Sequence, residues 1–77
     1  MARYFFDIDN GEPIVDDEGI DTLNPEIVPA TALQMLVRMT ALHAVVSGHV
    51  VTVTVRDASD HVVFRVALTL LATAIGD

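Results

Sequence analysis

The chain has 77 residues, 52% of them hydrophobic, no cysteine, and a formal net charge of −7 from eleven carboxylates against four arginines. That length holds one domain, residues 1–77, and a fold so small buries only about 60% of the surface its unfolded chain exposes, so its core needs a supplement. Without cysteine there is no disulfide staple, zinc-thiolate site or thiol catalysis, and with so few cations direct nucleic-acid binding is disfavoured.

The first predicted element is a strand over residues 2–9. Tyr4, Phe6 and Ile8 alternate with Arg3, Phe5, Asp7 and Asp9, the period of two of a half-buried strand. The first set faces the core, and Phe5 falls on the opposite face, where an aromatic among charges calls for a cover or a partner. Asn10-Gly11 is a tight-turn signal, and residues 12–15 return as a short second strand with Pro13 near its start.

A turn-rich acidic connection follows, residues 16–23. Seven of the eleven carboxylates (Asp7, Asp9, Glu12, Asp16, Asp17, Glu18 and Asp21) fall in the first third of the chain. Oxygen-rich clusters bind Ca²⁺ or Mg²⁺, and counting an EF-hand loop from Asp7 puts Asp9 and Glu18 at its third and twelfth places. Gly11 comes one place early, and the flanking residues read as strand instead of helix. Asp7, Asp9, Asp17 and Glu18 are therefore weak metal candidates, and a solvated acidic loop is the preferred reading.

The one long helix is predicted near residues 25–47. Asn24 suits the N-cap, Pro25 has no amide to leave unsatisfied, and Glu26 favours the positive end of the dipole. Pro29 predicts a kinked or 3₁₀ first turn, with regular helix from there, and Ser47-Gly48 marks the stop. Val28, Ala32, Met35, Leu36, Met39, Leu42, His43 and Val46 form a stripe that covers a sheet. Leu33, Val37, Ala41, Ala44 and Val45 lie on its flank, and only Thr31, Gln34 and Arg38 make a polar strip. The two methionines read as core filling. The interrupting polar residues and prolines argue against a membrane span.

Two β-branched runs, near residues 50–57 and 61–71, are joined by Asp57-Ala58-Ser59-Asp60, which suits a type I turn. The preferred register pairs Arg56 with His61, and so Val55 with Val62, Val53 with Phe64 and Val51 with Val66. A one-residue bulge with Asp60 left-handed is the alternative, pairing Val55 with Val63. Ala72, Thr73, Ala74 and Ile75 keep the end of the chain apolar, as an extended strand or a docked tail would. The fold class is α+β, in the order β-β-α-β-β, with one helix packed on a small antiparallel sheet.

No catalytic or cofactor-binding residue emerges. Ser47 beside His49 and Ser59 beside His61 sit at turns, where serine serves the backbone, and His43, His49 and His61 share no metal-binding spacing. The chain therefore reads as non-catalytic, with no cofactor. The N-terminus lacks the apolar stretch of a signal peptide, which points to the cytoplasm.

Arg3-Tyr4-Phe5-Phe6-Asp7-Ile8, Asn10-Gly11, Asp17-Glu18-Gly19, Ala32-Leu33 in the helix and Val55-Arg56-Asp57 together resemble a family of short domains of unknown function common in rhizobia and other alphaproteobacteria. The resemblance runs in order over nearly the whole chain and carries no activity with it. This chain departs from the family pattern at Pro29, at its apolar helix, and at Asp60 in place of a glycine. A weaker, fold-level analogy is to HicB-type antitoxins, whose small domain also opens with an aromatic strand, continues through an acidic Gly-containing segment, and packs a helix on the sheet.

The main functional reading is a self-associating domain, a homodimer or higher oligomer. After one helical stripe and one sheet face are assigned to the core, Leu33, Val37, Ala41 and Val45 on the helix flank, with Phe5 and Leu71 on the sheet, remain as interface candidates. The alternative is an acidic module that binds and neutralises a basic partner protein.

Overall fold

The computed structural model describes residues 2–42, 49–70, 75 and 76. One helix lies across one face of an antiparallel sheet, the expected α+β architecture with one strand more than predicted. In chain order the elements are β1 (Ala2–Asp9), β2 (Pro13–Ile14), β3 (Ile20–Thr22), α1 (Ile27–Leu42), β4 (His49–Asp57) and β5 (Val62–Leu70). The sheet order is β2-β1-β4-β5, and β3 also pairs with β1. β2 meets β1 at Ile8 and Asp9, β3 meets it at Ala2, Arg3 and Tyr4, and β4 runs along its other edge. β3 was missed because three residues, Ile20-Asp21-Thr22, are too short to show a period.

Phe6, Val51, Val53 and Val55 on the sheet and Val28, Ala32 and Leu36 on the helix form the buried core, with Tyr4, Ile8, Met35, Met39, Phe64, Val66 and Leu68 packed at its margin. The period-two reading of β1 and the helical stripe through Met39 hold. Each large apolar side chain so buried contributes about 1.5–3 kcal/mol. The helix packs mainly over β4 and β5 and touches β1 little. Leu33 and Val37 face solvent, 51% and 56% exposed.

The start of the helix differs in detail from expectation. The amides of Ile27 and Val28 donate to the carbonyls of Asn24 and Pro25, each at 3.1 Å, a 3₁₀-type turn. The Asn24 main chain, not its side chain, therefore receives the first amide. Its own amide donates to Thr22 Oγ1 at 3.0 Å. Regular helix begins at Ile27 instead of Pro29, because Pro29 falls in the first turn, where an amide has no intrahelical partner to lose.

The final hairpin corrects the preferred register. Arg56 pairs with Val62, but Val55 pairs with Phe64, Val53 with Val66 and Val51 with Leu68, with an irregularity between Val55 and Arg56. Asp60 is left-handed, φ 67°, as the alternative required. Its amide donates to Asp57 O, and Asp57 donates to His61 O, closing a type I turn with one extra residue. Val63 then enters as a bulge and restores the parity, so the valines of β4 still meet apolar partners. The register is two residues from the predicted one; from Phe64 onward the same faces are kept, whereas Val62, expected opposite Val55 on the core side, stands opposite Arg56 and is 56% exposed.

The predicted helix end at Ser47-Gly48, the stripe residues His43 and Val46, and the strand end at Leu71 with its tail through Ala74 lie outside the described residues. Among the described residues no helix is long and apolar enough to cross a membrane.

Candidate functional site

On the helix-free face, β1 presents Phe5 and Asp7 beside Arg56 of β4. Phe5 and Arg56 are register partners, and the guanidinium carbon lies 4.7 Å from the Phe5 ring centroid, a cation–π contact. Phe5, predicted to need a cover, is half-buried beneath that arginine.

Arg56 is also the hub of a polar cluster. Its Nε donates to Asp7 Oδ2 at 2.7 Å, its Nη2 to Asp7 Oδ1 at 3.3 Å and to the Asp16 carbonyl at 2.8 Å, and its Nη1 to Asp60 Oδ1 at 3.2 Å. The arginine side chain is only 21% exposed, so its bonds to Asp7 and the Asp16 carbonyl are shielded from much of the screening that weakens surface pairs, whereas the Asp60 carboxylate, 80% exposed, forms an ordinary surface pair.

Between β2 and β3 the outer edge of β1 has no strand beside it, and Asp16 occupies the gap. Its Oδ2 accepts the Phe6 amide at 3.0 Å, its Oδ1 accepts the amides of Glu18 and Gly19, each at 3.1 Å, and its own amide donates to Asp7 Oδ1 at 2.9 Å. One side chain thus replaces a missing ladder rung and folds the 16–19 turn at the same time. Gly19 closes the turn at φ 74°, and a Cβ there would stand 3.0 Å from Tyr4 O, Arg3 Cγ and Phe5 Cε1, so both conformation and space demand glycine. Arg3 fastens the far side, donating to both oxygens of Asp21 at 3.0 and 2.7 Å and to the Glu18 carbonyl.

The electrostatics follow from these contacts. The Arg56 hydrogen bond holds the Asp7 carboxyl below its ordinary range, against the opposing effect of burial, with help from the Asp16 amide. Burial pushes Asp16 up, but the amides of Phe6, Gly19 and Glu18 outweigh it and the net shift is down. Arg56 is raised, chiefly by its bond to Asp7. Both acids are stabilised as carboxylates, away from the neutral range in which a general acid works. The cluster's chemistry is that of a staple.

The weak metal candidates do not converge. Asp7 is held by Arg56, Asp9 Oδ1 accepts the Gly11 amide at 3.0 Å, and Asp17 and Glu18 are exposed. Among the described residues no group of three or more His, Asp or Glu is placed to hold a metal ion. His61 is exposed at the last turn, its Nδ1 3.8 Å from Asp57 Oδ2. Of the interface candidates, Leu33 and Val37 share the exposed side of α1, and Phe5 lies under Arg56. Val45 and Leu71 lie outside the described residues, as does the side chain of Ala41.

Sequence reasoning missed Asp16 among seven early carboxylates, though its spacing ahead of Asp17-Glu18-Gly19 is the signal of a side chain that closes its own turn. A shallow open cleft of about 230 Å³ lies at the helix start, lined by Tyr4, Pro25, Val28, Pro29, Val63 and Phe64.

Residues 3–69 match the family described as a domain of unknown function, DUF6894. No curated protein and no solved structure matches the chain.

Proposed function

We propose that this chain, which belongs to the DUF6894 family of domains of unknown function, works as a non-catalytic, self-associating module whose partner is a second copy of itself. The observation that carries this reading is the exposure of Leu33 and Val37 on the side of α1 turned away from the core. They lie one turn apart in a helix whose described exposed polar residues, Gln34 and Arg38, are few, and among the described residues no further element covers them. Symmetric pairing covers the same surface on both copies and adds the apolar area that a small core lacks. The Arg56 cluster belongs to this reading as the support of the sheet, and a cytoplasmic location is part of it.

A specific observation also favours the acidic alternative. The early carboxylates gather on the loops and short strands beside β1, so a basic protein would be drawn to that edge. The analogy to HicB-type antitoxins belongs to that second reading.

Light scattering at micromolar concentration separates them. The first reading expects a dimer or larger assembly of the protein alone, and Val37→Glu, which places a charge in the contact, shifts it to monomer with a loss of stability of about 1–3 kcal/mol. A well-folded monomer with the same stability as the variant overturns self-association.

A further inference from the structure

β1 is paired along both edges and β4 lies between two strands, but among the described residues nothing pairs with the outer edge of β5. Alternate amides and carbonyls of its nine residues are directed away from β4. Natural edges are blunted by charged side chains, above all lysine, by proline or by short length, and Val62–Leu70 has neither lysine, proline nor carboxylate; its one charge, Arg65, donates from Nε to Thr54 Oγ1 of β4 at 3.1 Å. The core is also incomplete on this side. Val51, Val53 and Val55 of β4 are buried, whereas Phe64, Val66 and Leu68 of β5 are only partly so.

Charge selects the occupant. No carboxylate occurs between Glu26 and Asp57, nor between Asp60 and Asp77, so α1, β5 and β4 as far as Arg56 form a carboxylate-free region of an acidic molecule. A second copy, itself at −7, meets the least repulsion there, whereas a basic protein is drawn to the opposite edge.

From these observations we infer that the free edge of β5 pairs antiparallel with β5 of a second copy, and that the two α1 helices then pack side by side on one face of a continuous sheet. This rests on the self-association proposed above and names its geometry. Strands lie about 4.8 Å apart, and α1 sits over β4 and β5. A two-fold axis beside β5 therefore sets the helix axes about 10–12 Å apart, the width of a helix with its side chains. The right-handed connection that parallel strands joined through a helix adopt, here β3 to β4, turns the Leu33 flank of α1 toward the β5 edge. Leu33 then approaches its counterpart as the strands pair, so one operation covers both the bare edge and the Leu33 flank of the helix.

Amide hydrogen exchange on the wild-type protein, read beside light scattering, tests the geometry. In the dimer, the outward-directed amides of residues 62–70 are expected to exchange as slowly as those of residues 51–55, and dilution to monomer speeds these alternate β5 amides at least tenfold while leaving β4 unchanged. Since the chain has no cysteine, single Arg65→Cys, Ala67→Cys and Thr69→Cys variants also report proximity. The one nearest the axis forms a disulfide-linked dimer on mild oxidation, and Pro13→Cys on the opposite edge does not. A stable dimer with fast β5 exchange and no cross-link overturns the strand pairing while leaving self-association intact. A monomer at every concentration removes both, and protection of β5 only by a different co-purifying protein assigns the edge to that partner and overturns the inference.

Discussion

The two sides of this sheet are built by different physics. Around β4 the chain relies on apolar burial. Val51, Val53 and Val55 face Val28, Ala32 and Leu36 of the helix with no buried polar side chain among the described residues. Beyond β1, β2 and β3 are two and three residues long, and the space between them is held by Asp16, Asp7, Arg56 and Arg3 through hydrogen bonds to backbone and to one another. One half is specified by volume and period, the other by single polar atoms at single positions. The teaching is that an acidic segment can be a structural element. Its charge is spent on main-chain amides that lack a strand.

The apolar half should show the largest effect. Leu36 is fully buried at the centre of the helix face, and Leu36→Ala removes its transfer energy and leaves a cavity, costing about 2–5 kcal/mol. In a domain this small that approaches the whole stability. Urea unfolding followed by circular dichroism should give a much lower midpoint or no cooperative transition. A loss under about 1 kcal/mol would mean that the helix does not seat on β4 as described.

The polar half should respond less, and by a different mechanism. Asp16→Ala leaves the half-buried Phe6 amide and two turn amides without their acceptor, which costs about 1–3 kcal/mol. The same site makes stability fall in acid. Asp7 and Asp16 have folded-state pKa values below their ordinary ones, so their contribution is complete above about pH 4, where both ionise in the unfolded chain, and is lost as pH falls through the depressed values. Thermal melts from pH 7 to pH 3 should show the wild type losing stability below about pH 4 and Asp16→Ala losing less. Parallel pH profiles for the two proteins would remove Asp16 from the account.

The same division explains what was legible in the sequence. Periodicity located β1, β4, β5 and the buried face of α1, because burial over many residues leaves a pattern that no single exception erases. It did not locate β3, whose three residues are fixed by pairing with Ala2, Arg3 and Tyr4, nor the hairpin register. There, the left-handed Asp60 and the extra residue at Val63 each shift the pairing by one and together keep the faces from Phe64 onward, while Val62 turns outward opposite Arg56. The role of Asp16 was hidden for a similar reason. Its neighbours Asp17 and Glu18 carry the same charge, and only geometry shows which carboxylate turns inward.

That contrast within one loop supplies the smallest and sharpest expectation. Asp16 accepts three amides, whereas no described side chain pairs with the carboxylates of Asp17 and Glu18, both exposed. If the loop is held by position and not by its total charge, replacing Asp17 with Asn and Glu18 with Gln together should change stability by no more than about 0.5 kcal/mol. The Glu18 carbonyl that Arg3 grips and the Glu18 amide that Asp16 accepts are main-chain groups and survive the change. Two negative charges are removed from an acidic chain, so any small effect should be a gain from reduced self-repulsion, fading with added salt. Calorimetry with Ca²⁺ on both proteins distinguishes a solvated loop from a metal site. Micromolar binding by the wild type that vanishes in the double variant would make Asp17 and Glu18 ligands, and the loop a metal site instead of a solvated turn closed by its one inward carboxylate.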